Sequence, residues 1–182
     1  MVDKKSKLPQ WASILGVVAI MLGVFLTAMH GTEWMKQSVI VSNMPESGVM
    51  PEADCPLEEL EEEGISLAEC EYLVDHVGGF ALSMPDWFPG AMMTLAMIGT
   101  ILAFLSVIIG GALVNYTSWS SAAAVAVFAG LALVDLLQFA VVVNTGPVLR
   151  DYYLWSILLW LIIHSMLLVG AVAGRHTEAE RV

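Results

Sequence analysis

Four long apolar segments dominate the pattern of hydrophobic and polar positions along the chain. They are residues 11–29, 90–114, 121–143 and 153–174. A helix rises about 1.5 Å per residue, so about 20 apolar residues cross a hydrocarbon core of roughly 30 Å. The first two segments contain no charged residue, and the other two contain one exception each, Asp135 and His164. The pattern predicts an all-α integral membrane protein, an antiparallel bundle of four transmembrane helices.

Composition supports this class and excludes others. Of the 182 residues, 58% are hydrophobic and 14% are charged, whereas a soluble domain carries roughly 25% charged residues. Seven basic residues and a net charge of -11 exclude a nucleic-acid binder, which needs clustered Lys and Arg. The sequence motifs of hydrolases, nucleotide-binding proteins, zinc proteases and thiol oxidoreductases are missing from it. We therefore expect no enzymatic activity and no cofactor.

The basic residues predict the orientation in the membrane. Five of the seven lie near the chain ends, namely Lys4, Lys5, Lys7, Arg175 and Arg181. The positive-inside rule then places residues 1–10 and 175–182 in the cytoplasm, together with the 115–120 connection. Residues 30–89 and 144–152 become extracytoplasmic loops. We expect the bacterial inner membrane, because the outer segments carry cysteines but no glycosylation signal.

The first outer loop is strongly acidic. Residues 30–89 contain thirteen Asp or Glu and one basic residue, Lys36. Seven of the acids form what we call the acidic cap: Glu58, Glu59, Glu61, Glu62, Glu63, Glu69 and Glu71. Such a run is typical of a solvated helical face. We interpret the acidic cap as a surface that recognises a basic or cation-bearing partner, with Ca²⁺ binding as a weaker alternative.

Local signals within this loop predict a small helical hairpin. Pro56 suits a first helical turn and Gly64 a helix end, and Ser66 with Glu69 matches a capping box that opens a second helix. Cys55 and Cys70 are the only cysteines and predict a disulfide, which would contribute on the order of 3 kcal/mol by closing the loop. A redox or metal-binding thiol pair is the alternative, but the spacing matches neither CxxC nor a common zinc motif.

Metal binding by histidine is a weak possibility. His30 and His76 lie in the same loop as several methionines, and imidazoles with thioethers suit Cu(I). The spacing of these residues is irregular. We expect no haem, because His30 is predicted at the outer edge of the membrane and His164 in its inner half.

Three polar residues inside the predicted spans are the main functional candidates: Asp135, Gln138 and His164. An ionised carboxylate at the membrane centre costs about 2.5 to 3.5 kcal/mol, so Asp135 should face protein or water. These residues could relay protons or cations, clamp two helices together, or contact a partner subunit. Span midpoints offset Asp135 from His164 by roughly 7 Å along the membrane normal, so direct contact requires helix tilt or a bridging water.

Small residues at helical spacing predict close helix packing, within the bundle or between subunits. They are Ala122, Ala126, Gly130, Gly170 and Gly174. In layout, four spans with a long disulfide-bearing first outer loop, the chain resembles claudin-like tetraspan proteins. The resemblance concerns topology alone, and no sequence motif carries it.

The leading hypothesis is a non-catalytic interaction protein. It would be an accessory or assembly subunit of a larger membrane complex, or a homo-oligomer, with lipid and other membrane proteins as its partners. The alternative is a small cation or proton channel, or a transport component, that uses Asp135 and Gln138 and concentrates cations at the acidic loop.

Overall fold

Helices and short connections make up the part of the chain that the structure describes, and no strand lies in it. The computed structural model describes residues 9–43, 55, 56, 60, 62 and 64–179. Five helices lie in this part: α1 Gln10–Asn43, α2 Leu67–Leu82, α3 Trp87–Val114, α4 Ser120–Val143 and α5 Pro147–Ala179.

Four of the helices, α1, α3, α4 and α5, are long and apolar enough to cross a membrane. They coincide with the four predicted segments, and large apolar side chains cover their outward faces, as on Ile14, Phe104 and Ile162. A helix surrounded by water would place polar residues there. The chain is therefore compatible with a multi-pass membrane protein.

The first helix is longer than its apolar segment. It continues from Met29 to Asn43, because no proline interrupts this stretch and its polar side chains find partners along the helix or on α5. The last helix begins at Pro147, six residues before the predicted span, where proline suits the first turn of a helix. Both extensions lie at the end of the bundle next to α2, which we call the cap side; the other end is the terminal side.

Contacts between α1 and α3 pair residues in opposite order along the two helices. A side-chain carbon added to Gly16 would lie 2.6 Å from the carbonyl oxygen of Gly110, and the reverse is also 2.6 Å. Further along, Gly23 meets the backbone of Ala103. The two backbones therefore touch at positions that only glycine allows, the close approach expected where small residues drive helix association.

Two apolar clusters occupy the two halves of the bundle. The terminal-side cluster includes Ala19, Leu113 and Phe128, and the cap-side cluster includes Phe88 and Leu149. Between them lies a layer of buried polar side chains: His30, Asp135, Gln138 and His164. This layer contains the candidate functional site.

The disulfide predicted from the sequence is present and ties α2 to the segment before it. Cys55 and Cys70 are joined, with their Cα atoms 6.2 Å apart. The predicted capping box is also present: the Ser66 N–H and hydroxyl donate to one Glu69 carboxylate oxygen at 2.9 and 2.7 Å. Both hydrogen bonds lower the pKa of Glu69, and the one from the Ser66 hydroxyl has the larger effect. Gly64 has a φ of +70°, the left-handed conformation expected just past a helix end.

Candidate functional site: a buried polar chamber

The centre of the site is a direct contact between Asp135 on α4 and His164 on α5. Oδ2 of Asp135 lies 2.5 Å from Nδ1 of His164, and the two residues are 1% and 0% exposed. The sequence predicted direct contact only with helix tilt or a bridging water; the structure brings the groups together without an intermediary. When Asp135 is a carboxylate, it accepts this hydrogen bond and the imidazole N–H lies on Nδ1.

The surroundings of the pair fix the imidazole in place. Trp160, one helical turn before His164, stacks on its ring with centroids 5.9 Å apart. Gln138 follows Asp135 by one turn on α4 and is also buried. His164 Nε2 is buried and has no hydrogen-bond partner among the described residues. With the N–H on Nδ1, Nε2 keeps a free lone pair that can accept a proton.

A second histidine, His30 of α1, lies in the same layer. Its ring packs against Gly99 of α3, where an added side-chain carbon would come within 2.9 Å of three ring atoms. His30 is within electrostatic range of Asp135, His164 and Glu33. It is 9% exposed, and its Nε2 has no hydrogen-bond partner among the residues described. The helix α1 continues beyond His30 to Asn43, past the predicted end of the first span at Met29.

Toward the cap side, α1 and α5 are joined by a hydrogen-bonded cluster around Glu33. Tyr153 donates to Glu33 Oε1 at 2.8 Å, and Gln37 donates to the same oxygen at 2.6 Å. Lys36 donates to Glu33 Oε2 at 3.2 Å and to the Tyr153 hydroxyl at 2.8 Å. Its ammonium lies 4.8 and 4.9 Å from the ring centroids of Tyr152 and Tyr153.

Asp135, His30 and Glu33 line a cavity of about 280 Å³, which we call the polar chamber; His164 lies behind Asp135 and is not among its lining residues. It is lined by Leu26, Met29, His30, Glu33, Met92, Asp135, Gln138, Tyr152, Tyr153, Ser156, Ile157 and Trp160. Three of these, Met29, Tyr152 and Ser156, are exposed, so the polar chamber reaches the protein surface between α1 and α5.

Apolar packing continues from the polar chamber to the terminal side. Leu131, Leu167 and Ala171 are buried in the terminal-side cluster, and the glycine contacts of α1 and α3 bring backbone against backbone. Ser106, the buried polar residue of α3, donates to the Ala19 carbonyl at 3.3 Å. The lining of the polar chamber includes Leu26 of the terminal-side cluster and none of the other buried residues of that cluster.

Other predicted site residues lie away from the polar chamber. In the acidic cap, Glu62, Glu69 and Glu71 are exposed, and the other four lie outside the described residues. His76 lies on α2, and its side chain is not described. Among residues that the structure describes, no group of three or more His, Cys, Asp or Glu could hold a metal ion.

The predicted small residues divide between two environments. The indole of Trp11 packs against Gly174, Leu15 packs against Gly170, and Leu102 packs against Gly130. These three glycines pack within the chain. Ala122 and Ala126 are exposed on α4 and take no part in that packing.

Sequence reasoning missed the Glu33 cluster. His30, Glu33 and Gln37 recur at intervals of three and four residues, the spacing of one helix face. This spacing could have indicated a polar helix face. The predicted first span ended at Met29, however, so all three residues were assigned to a loop. Comparisons with protein-family models, curated proteins and solved structures give no significant match.

Proposed function

We propose that this chain is a non-catalytic, four-span membrane protein whose Asp135–His164 pair binds a proton that enters through the polar chamber. The observation that carries this proposal is the buried His164 Nε2, which has no hydrogen-bond partner among the described residues. Since the other ring nitrogen already contacts Asp135, Nε2 holds the free lone pair.

The chemistry of the pair suits reversible protonation. An imidazole whose Nδ1–H is held by a carboxylate has its tautomer and orientation set in advance. A proton that binds at Nε2 produces an imidazolium, and the adjacent Asp135 carboxylate balances its charge. Histidine is the side chain whose charge changes most readily near neutral pH.

A proton fits the polar chamber better than a metal cation does. Glu33 already accepts hydrogen bonds from Tyr153, Gln37 and Lys36, and Asp135 is engaged by His164. Hard cations prefer six or more oxygen ligands, which these engaged carboxylates do not offer. A proton requires only one lone pair.

The packing favours a one-sided site over a continuous channel. Protons can approach along the Glu33 cluster, whereas the terminal-side cluster offers apolar side chains and glycine contacts. We propose that the cap side is extracytoplasmic, since the positive-inside rule places the basic chain ends in the cytoplasm. Purified protein in liposomes should then show no proton flux above that of empty liposomes. Flux that Asp135→Asn abolishes would establish the channel instead.

Spectroscopy of the reconstituted protein tests the proposed site. Nitrogen NMR of labelled histidine should show His164 changing from a neutral to a doubly protonated ring as pH falls. In Asp135→Asn, which keeps the size of the side chain and removes its charge, protonation of His164 should require a lower pH.

The matched control is Asp151→Asn on the same helix as His164. Asp151 is exposed and does not line the polar chamber, so this variant should titrate like the wild type. A His164 ring that stays neutral throughout the range in which the wild type is folded would disprove the proton site.

A role as an accessory subunit is the second candidate, and the exposed acidic surface of α2 favours it. The disulfide ties Cys55 to α2 and the capping box forms the start of that helix, with Glu69, Glu71 and Tyr72 exposed on it. Such a surface could bind a basic region of another membrane protein by electrostatic complementarity.

Native mass spectrometry after gentle extraction tests this second candidate. Co-purification with other polypeptides in a fixed ratio would support a subunit role, and changing Glu58, Glu59, Glu61, Glu62 and Glu63 to Gln should then reduce partner recovery. Unchanged recovery would remove the acidic cap from the interface, and a homogeneous homo-oligomer would favour self-association.

A further inference from the structure

We infer that the polar chamber binds a small organic ammonium ion, in competition with the proton at the Asp135–His164 pair. This inference rests on the proposed proton site and adds a ligand class to it. It depends on the charge of the polar chamber, the chemistry of its walls and its size.

The formal charges of the groups around the pair leave one negative charge unbalanced. With both imidazoles neutral, Asp135 and Glu33 are negative, and Lys36 supplies the one positive charge. The other titratable groups that face the pair are His30 from α1 and Tyr152 and Tyr153 from α5. The described lining residue from α3 is Met92, which does not titrate. A buried net charge is costly, so a proton or a cationic ligand should balance it.

The walls offer what an ammonium group prefers. Lys36 provides an internal example, because its ammonium lies over the rings of Tyr152 and Tyr153 while it pairs with Glu33. Deeper in the polar chamber, Asp135 and the Trp160 ring present a second carboxylate and a second aromatic surface. Tryptophan is the strongest cation–π partner among the aromatic side chains.

Size and access favour a single-ring amine. Liquid water occupies roughly 30 Å³ per molecule, so a cavity of about 280 Å³ has room for a ligand of about nine heavy atoms. The exposed Met29 and Tyr152 at its edge would admit an amphipathic molecule from the interfacial zone. The apolar lining residues, such as Leu26 and Ile157, would contact the ligand's ring.

Benzylammonium is the probe, and benzyl alcohol is its neutral counterpart of the same shape. Calorimetry on the full chain in nanodiscs should show saturable binding of benzylammonium and none of benzyl alcohol, after subtraction of empty nanodiscs. Because ligand and proton compete, the affinity for benzylammonium should decrease as pH falls. In the range where His164 is protonated, it should decrease about tenfold for each unit by which the pH is lowered. Benzylammonium stays charged throughout that range. Equal binding of the two compounds, or an affinity that does not change with pH, would overturn the inference.

Two variants locate the site. Asp135→Asn should reduce benzylammonium affinity at least tenfold, and Asp151→Asn should leave it unchanged; equal affinity of both variants would place the ligand elsewhere and overturn the inference. The wild-type pH dependence needs no variant to fold. If His164 titrates and benzylammonium does not bind, the ligand inference fails and the proton site stands. If His164 does not titrate either, both fail.

Discussion

The two halves of the bundle are held together in different ways. In the terminal-side half, α1 and α3 meet through glycines, and buried side chains such as Ala19 and Phe128 are apolar. In the cap-side half and the polar layer beside it, α1, α4 and α5 meet around the buried Asp135 and His164 and the half-buried Glu33. In lipid, apolar burial gives little net attraction between helices, so shape fit and hydrogen bonds must provide it. In this chain, shape fit joins the helices of the terminal-side half, and hydrogen bonds join those of the cap-side half.

The comparison implies that the two halves should differ in what they tolerate. The terminal-side half should respond to added volume and the cap-side half to the loss of a charged partner.

The largest effect is expected when one member of the buried pair is removed. Asp135→Leu leaves His164 buried without its partner, and breaking a buried pair typically costs 3–5 kcal/mol, so we expect a loss of about that size in the free energy of unfolding. The double variant Asp135→Leu with His164→Leu should recover much of this loss. Denaturation in mixed detergent micelles measures both. A single variant as stable as the wild type would show that the pair contributes nothing to stability.

A smaller loss is expected from one methyl group in the terminal-side half. Gly110→Ala places a carbon 2.6 Å from the Gly16 carbonyl oxygen, and backbone cannot move aside easily. Overpacking of this kind costs about 1–3 kcal/mol. The neighbouring Gly111 has nothing within 4 Å, so Gly111→Ala is the control and should be neutral or stabilising. Equal stability of the two variants would contradict the close packing of α1 and α3.

The same substitution in the cap-side half should cost less. Gly99→Ala brings the new methyl group within 2.9 Å of the His30 ring, which can rotate because it ends a side chain. We expect a loss of about 1 kcal/mol, at the low end of overpacking costs, and a changed His30 NMR signal. A loss as large as that of Gly110→Ala would mean that His30 is held rigidly.

The smallest effect is expected at the start of α2, which lies outside both halves. Hydrogen bonds from Ser66 lower the pKa of Glu69 below its ordinary value of 4.5. The support that they give to the start of α2 is therefore complete above that value, and it is lost as pH falls through the lowered pKa. The Ser66 amide shift should report this titration, and Ser66→Ala should move its midpoint upward. A midpoint at or above the ordinary value would contradict the capping box.

Local signals in the sequence were sufficient for part of this structure. The four long helices follow from apolar length, the disulfide from having two cysteines in one loop, and the start of α2 from Ser66 and Glu69. In each case the information lies within a few neighbouring residues or in one continuous run.

The polar chamber could be predicted only in part, because it depends on contacts between distant segments. Asp135 stood out since a carboxylate is rare within an apolar run. The position of His30 could not be predicted from local signals. It requires that α1 continue past Met29, and that Gly99 leave room for the ring on α3. Nor does any local pattern pair Glu33 with Tyr153, which is 120 residues away in the chain.

That separation also sets an order for synthesis. Glu33 and Gln37 are made with α1, but the Tyr153 hydroxyl that contacts both arrives with the last of the four long helices. Until α5 has been made, these polar side chains must have other partners, such as water. The Glu33–Tyr153 bond therefore forms only after translation has passed the start of α5, and it joins the first long helix to the last.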